Sequence, residues 1–317
     1  MKHLLSYSIY QPLEDLPGNG DGLKGIGCDG VELYTTFKKV PEFYKKVSPA
    51  VHLPYATDWH SAWTGKADMH GLSEDEVKDL LYGRDREEIV SNLRASIEYA
   101  AELYPAYGVL HASNTDIEEV MQRSHTDNSR EVLSDFCEMV NRAVSSFKKG
   151  EPPFKLAFEN LWWPGLKLRD PREYKFIESH IEFENWGFCL DTGHLMNTLP
   201  DAYDESICVE RLLEIFSRYP KEMKDRIGTV HLHVSTSAEY RMTFEEKTRP
   251  PGETVAETVT RVFPHIAKID QHRPFSIGGC RTLVDHLSPD FVTHEMMGKK
   301  PDEVIGRFRQ QRSFFPL

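Results

Sequence analysis

The sequence buries acidic and imidazole side chains in short apolar runs, where an ionisable group is costly unless a counter-charge or a metal meets it. "KLAFEN" carries Glu159, "CLDTGHL" carries Asp191 and, three residues on, His194, "TVHLHV" carries His231 and His233, and "FVTHEM" carries Glu295. Earlier runs add Glu32 in "GVELY", His52 in "AVHLP" and His111 in "YGVLHA". The strand period of two aligns His231 with His233, opposite Val230, Leu232 and Val234. Carboxylates and imidazoles gathered in this way seldom share a pocket without a cation, so the chemistry they suggest is that of a divalent metal centre. Asp191-Thr192-Gly193 is also the tripeptide of pepsin-like aspartic proteases. That chemistry needs two carboxylates sharing a proton on an all-β scaffold, whereas this chain has one copy of the motif in an alternating β/α pattern.

The elements that must position these residues can be read from periodicity. Candidate strands fall at 3–9, 30–34, 50–54, 107–112, 155–160, 186–191, 228–234 and 291–296. Helical patterns fall between them: a run to about Tyr104 opened by the capping-box pair Ser73 and Glu76, then 129–148, 171–180, 205–218, 254–269 and 301–313. Eight β/α units without a Pro/Gly/Ser-rich linker predict an α/β fold, a single (β/α)8 TIM barrel over 1–317, with chemistry at the C-terminal ends of the strands. A doubly wound open sheet is the runner-up, but no GxGxxG or P-loop follows a strand. "RPFSIGG" at 273–279 competes for the eighth strand, and "FVTHEM" is preferred because a helix follows it directly.

Composition limits the partners. A net charge of -12 over 317 residues opposes binding to a polyphosphate backbone, so no nucleic-acid partner is expected. No apolar run approaches the length of a membrane helix. Five widely spaced cysteines without a CxxC pair fit reduced thiols, and a cytoplasmic location is expected. Trp162 and Trp163 after the fifth strand, and Trp59 and Trp63 after the third, could face a sugar ring or pack against the barrel rim. Arg241 reads as a solvated loop arginine before it reads as an anion contact. The insertion 235–253 could serve as interface or lid, and oligomeric state is left open.

In their order, "AFENL", "CLDTGH", "VHLHVS" and "THEM" resemble the xylose-isomerase-like TIM-barrel superfamily, with "AVHLPY" and "VLHAS" matching its third and fourth strands. That grouping includes sugar and sugar-phosphate isomerases and epimerases, inosose dehydratases and the endonuclease IV enzymes. The resemblance implies one divalent ion, Mn, Co or Mg before Zn, held by Glu159, Asp191, His233 and Glu295. His52, His111, His194, His231 and Trp162 would then contact a small polyhydroxylated substrate. It implies an isomerase or epimerase working through an enediolate, with Glu159 and Glu295 moving the proton. An inosose-dehydratase-like lyase is the alternative, ahead of a phosphodiesterase acting on abasic-site DNA. The three-zinc cluster of endonuclease IV uses an Asp-x-His pair after the seventh strand, and 235–253 contains no histidine, so that cluster is expected to be incomplete. Leu161 stands where xylose isomerases place a lysine, which counts against a hydride shift.

Overall fold

In the computed structural model, which describes residues 1–316, eight parallel strands close into a barrel in chain order. They are β1 (Lys2–Ser8), β2 (Gly30–Tyr34), β3 (Ala50–His52), β4 (Tyr107–His111), β5 (Lys155–Glu159), β6 (Trp186–Asp191), β7 (Ile227–His231) and β8 (Phe291–His294). As far as β6 and the turn after it, the chain adds helices α1 (Trp59–Trp63), α2 (Glu74–Leu81), α3 (Arg86–Ala101), α4 (Ser129–Val144), α5 (Pro171–His180) and α6 (Thr192–Met196). The rest of the chain adds α7 (Glu205–Phe216), α8 (Lys221–Arg226), α9 (Ala238–Thr243), α10 (Val255–Ile269), α11 (Gly279–Leu287) and α12 (Pro301–Arg312). No helix among the described residues is long and apolar enough to cross a membrane.

Strand alternation divides the core. Outward-facing Val31, Val51, Leu156, Phe158, Phe188 and Val230 pack under the helices, each such burial contributing on the order of 1.5–3 kcal/mol. Inward-facing Leu4, Ala50, Val109, Ala157 and Cys189 fill the lower barrel around the Tyr107 ring. Above them, the Tyr107 hydroxyl donates to Glu32 Oε2 at 2.6 Å and the Thr293 hydroxyl donates to the same oxygen at 2.9 Å. This polar layer separates the apolar floor from the mouth.

Two expectations shift for local reasons. The long helix expected up to Tyr104 divides into α2 and α3, because Tyr82 turns left-handed at φ 63° and Asp85 caps a fresh start by accepting from Glu88 N. At that break Gly83 lets the chain pass close, since a Cβ there would lie 2.7 Å from Ile89 N. Strands β7 and β8 end at His231 and His294, short of the expected 234 and 296, where their ladder stops at His231 and Thr293. "RPFSIGG" is the approach to α11, a helix absent from the sequence reading, whose Leu283, Val284 and Leu287 are buried.

Candidate metal centre

The ends of seven strands, β2 to β8, with the segment after α10, deliver the polar groups of the mouth. Glu159 at the end of β5 lies at their centre. Its Oε2 is 3.2 Å from both His52 Nε2 and His111 Nε2, and its Oε1 is 3.1 Å from His231 Nδ1 and 3.2 Å from His194 Nδ1. One carboxylate therefore joins two groups of imidazoles. Asp191 ends β6 and caps α6 by accepting from His194 N at 2.6 Å, so the first turn of α6 swings His194 back into the mouth. Gly193 makes room there: a Cβ would meet the His233 ring at 2.0 Å.

The histidine expected to join the three carboxylates is His233, and both His231 and His233 reach them, at different depths. His231 Nδ1 lies 3.1 Å from Glu159, 3.3 Å from Glu295 and 3.7 Å from Asp191. His233 Nε2 lies 2.9 Å from Asp191 but 3.9 Å from Glu295, and its ring stacks on His272 at 4.2 Å between centroids. Both rings point inward, but His231 sits one residue pair deeper, level with Asp191 in the β6–β7 ladder.

A correction concerns the cluster expected to be incomplete. An Asp-x-His pair is present as Asp270-Gln271-His272, directly after α10. Asp270 Oδ2 is 3.3 Å from His194 Nε2 and 2.6 Å from His272 Nε2, and His272 Nδ1 is 3.4 Å from Glu295. The pair lies far along the chain because α9 and α10 intervene between β7 and the return to the mouth. Its spacing was the available signal, and it fell between a predicted helix and a predicted strand.

The donors fit divalent metals. His52 Nδ1 donates to Leu53 O at 2.8 Å and His194 Nδ1 donates to Asn160 O at 2.9 Å, which turns each Nε2 toward a carboxylate of the mouth. Glu32 Oε1 holds His231 Nε2 at 2.7 Å and directs Nδ1 inward, the carboxylate–histidine arrangement that orients ligands. Buried Asp270 Oδ1 and His233 Nδ1 have no hydrogen-bond partner among the described residues. His52, His111 and Glu159 offer ligand atoms within 4.8 Å of one another, as do Asp191, His194 and His233, and again His233, Asp270 and His272. Burial alone would raise the Glu159 carboxyl, yet the imidazoles of His231 and His111 hold it well below the usual carboxylate range. Burial lowers His111 to about 4 and keeps it neutral, while His272, opposed by burial, is raised to about 9 by Asp270. An ionised carboxylate at the centre of several imidazoles is a ready ligand set once those rings give up their protons.

The histidines expected to contact substrate, His52, His111, His194 and His231, are thus all engaged with carboxylates. Trp162 does sit at the mouth, its ring 5.1 Å from that of His194. Trp59 and Trp63 are core residues of α1, and Trp163 is buried, so the rim-packing reading fits these three. Arg241 is committed to Leu199 O and Ser237 Oγ. Segment 235–253 reaches over to the β4–α4 loop, where Arg123 pairs with Glu246 and Lys247 N donates to Met121 O.

Fold and mouth together define a (β/α)8 barrel with a histidine and carboxylate centre at its C-terminal end. The chain belongs to the xylose isomerase-like TIM barrel family, whose model matches residues 22–280. No curated protein sequence matches it. Among solved structures it is similar in fold to endonuclease IV from Thermus thermophilus, at 16% identity, TM-score 0.54, and 99% and 98% coverage of this chain and that one. It is similar also to a D-tagatose 3-epimerase-like protein, at 15% identity, TM-score 0.53, and 99% and 97% coverage. An L-ribulose 3-epimerase matches at 10% identity, TM-score 0.53, and 98% and 92% coverage.

Proposed function

We propose that the chain is a hydrolase of small phosphoric esters that depends on more than one divalent metal. The observation that carries this is the shared Glu159 carboxylate, with His52 and His111 on one oxygen, His194 and His231 on the other, and Asp270 with His272 beyond. A centre for enolisation needs one such group. Adjacent donor groups suit a reaction whose charge develops on several oxygens around phosphorus at once. His52, His111 and Glu159 would hold one ion, Glu159, Asp191, His231 and Glu295 a second, and His194, Asp270 and His272 a third, with His233 supporting Asp191. Metals bound there would supply Lewis acidity and lower the pKa of water.

The chain's own groups do the rest. Glu295, the most solvent-accessible of the mouth carboxylates, is placed to accept the proton of the attacking water. A phosphorus–oxygen bond forms to that water, the bond to the alcohol oxygen breaks, and that oxygen takes the proton back from Glu295 to leave as the alcohol. Glu32 keeps the His231 ring in place, and Tyr55, stacked on His111 at 4.2 Å, does the same for that ring. The net charge of -12 favours a small ester over a nucleic acid.

A sugar isomerase or epimerase is the second reading. It is favoured by Glu159 and Glu295, which flank His231 Nδ1 at 3.1 and 3.3 Å, as two carboxylates sharing a proton-transfer task would. Metal analysis of protein purified without chelator, with assays on bis(p-nitrophenyl) phosphate and on ketoses in deuterated water, separates the two. We expect more than one ion per chain and release of p-nitrophenol. One ion, deuterated ketose and intact phosphoester would overturn the hydrolase reading.

A further inference from the structure

A cavity of about 820 Å³ opens at the C-terminal ends of β1 and β8, beside the metal centre. Its walls include Leu16, Met296, Met297 and Phe263, with Lys299 and Lys300 on the rim. This wall is unlike an ordinary surface. Phe263 is 57% exposed and Met297 36% exposed, and Val259, one turn before Phe263 on α10, is 46% exposed. The other face of α10 carries the helix's packing, through buried Val255, Val262 and Ile269. The fold therefore does not need Phe263 and Val259 to be apolar, and contiguous exposed apolar groups of this kind mark a binding surface. Neither Lys299 nor Lys300 is ion-paired among the described residues, and no hydrogen bond holds either ammonium group.

Continuity with the metal centre says what the cavity is for. Glu295 and Met296 are consecutive: Glu295 faces His231 and His272, and Met296 lines the cavity. Met296 and Phe263 line the same cavity, so the chain runs from a proposed metal ligand straight into its wall. The volume lies in the upper part of the roughly 300–1,000 Å³ range that accommodates drug-sized ligands, well beyond the needs of one sugar ring.

We infer that this groove seats one arm of the phosphoric ester, and that the arm is a bulky, largely apolar ring or chain with polar or anionic groups meeting Lys299 and Lys300. The inference rests on the hydrolase reading for the identity of the ligand, but the groove can be tested without it. The full chain is titrated with anilinonaphthalene sulfonate, an aromatic anion, before and after zinc loading. The zinc-loaded chain is then assayed on methyl p-nitrophenyl phosphate and naphthylmethyl p-nitrophenyl phosphate. We expect one saturable dye site, weakened roughly tenfold in Phe263→Ser and less in Lys299→Glu, and unaltered in Tyr104→Ser at the opposite end of the barrel. KM for the naphthylmethyl ester should rise by a similar factor in Phe263→Ser, with the methyl ester unaffected.

The two readings fail separately. Dye binding indifferent to Phe263→Ser, or equal KM effects on both esters, overturns the groove while the hydrolase reading stands. Dye binding lost in Phe263→Ser while no ester is cleaved by the wild type supports the groove and overturns the hydrolase.

Discussion

The barrel contains two sets of buried histidines, and they differ in the carboxylates that face them. Behind β1 and β8, His3 Nδ1 lies 3.0 Å from His294 Nε2, and Gln311 Nε2 donates to His294 Nδ1 at 2.8 Å. Since Gln311 Oε1 accepts from Phe275 N, its amide is fixed, so His294 must carry its proton on Nε2 and donate to His3. No carboxylate faces the two rings at contact distance. Burial pushes His3 down to about 4, and burial together with His3 holds His294 well below the ordinary histidine value. In the mouth, burial acts against His194 as well, but Asp191 and Asp270 raise it well above its ordinary value. Burial is common to both sets; at His194 two carboxylates outweigh it, whereas at His111, with Glu159 alone beside it, burial prevails. The first set is a neutral packing device, and on the proposed function the second would exchange protons for cations.

That contrast is broken most severely at the shared carboxylate. Glu159→Gln keeps the shape but removes the charge that the surrounding imidazoles need. We expect bound metal to fall below one ion per chain by elemental analysis and phosphoesterase activity to fall roughly a hundred- to a thousandfold. Full metal content in this variant would sink the assignment. Asp270→Asn comes next, because it disturbs only the His194 and His272 side. One ion fewer per chain and a loss of about ten- to a hundredfold are expected. If metal content and rate are both unchanged, the third group plays no part and the isomerase reading gains.

How much of this was legible in the sequence follows from the same distinction. Strand alternation locates Glu159, His231 and Glu295, because a charged residue in a period of apolar ones has only the barrel interior to face. Eight strands in order then follow from β/α alternation. Alternation cannot choose between His231 and His233, which share a face; they differ in depth along the barrel, which depends on where the β6–β7 register shifts, between Phe188 and Cys189. Asp270 and His272 were out of reach for another reason. They sit on no strand, and the path of α10 alone returns them to the mouth. His294 shows the converse limit: one residue before Glu295, it faces the other way and takes no part in the chemistry.

The neutral set can be tested on stability. Gln311 Nε2 donates to Leu232 O as well as to His294, so Gln311→Leu leaves Leu232 O, His294 Nδ1 and Phe275 N without their partner. Denaturant unfolding should show a loss of about 2 kcal/mol with metal content intact. Loss of metal in this variant would mean that the two histidine sets are coupled through β8.

The smallest effect expected sharpens the comparison through pH. His3 is depressed from 6.5 to about 4 in the folded chain, so between those values the unfolded chain binds a proton that the folded one refuses. The stability tied to His3 is therefore complete above about pH 6.5 and is lost as pH falls towards 4. The whole shift corresponds to at most about 3 kcal/mol. His3→Asn keeps an acceptor for His294 Nε2 but cannot titrate, and it should remove on the order of 1 kcal/mol of the difference in unfolding free energy between pH 7 and pH 5. Both proteins are measured without metal, so that the mouth contributes equally to each. Identical slopes in the two proteins would mean that His3 titrates normally and that burial without a carboxylate is not enough to keep a histidine neutral here.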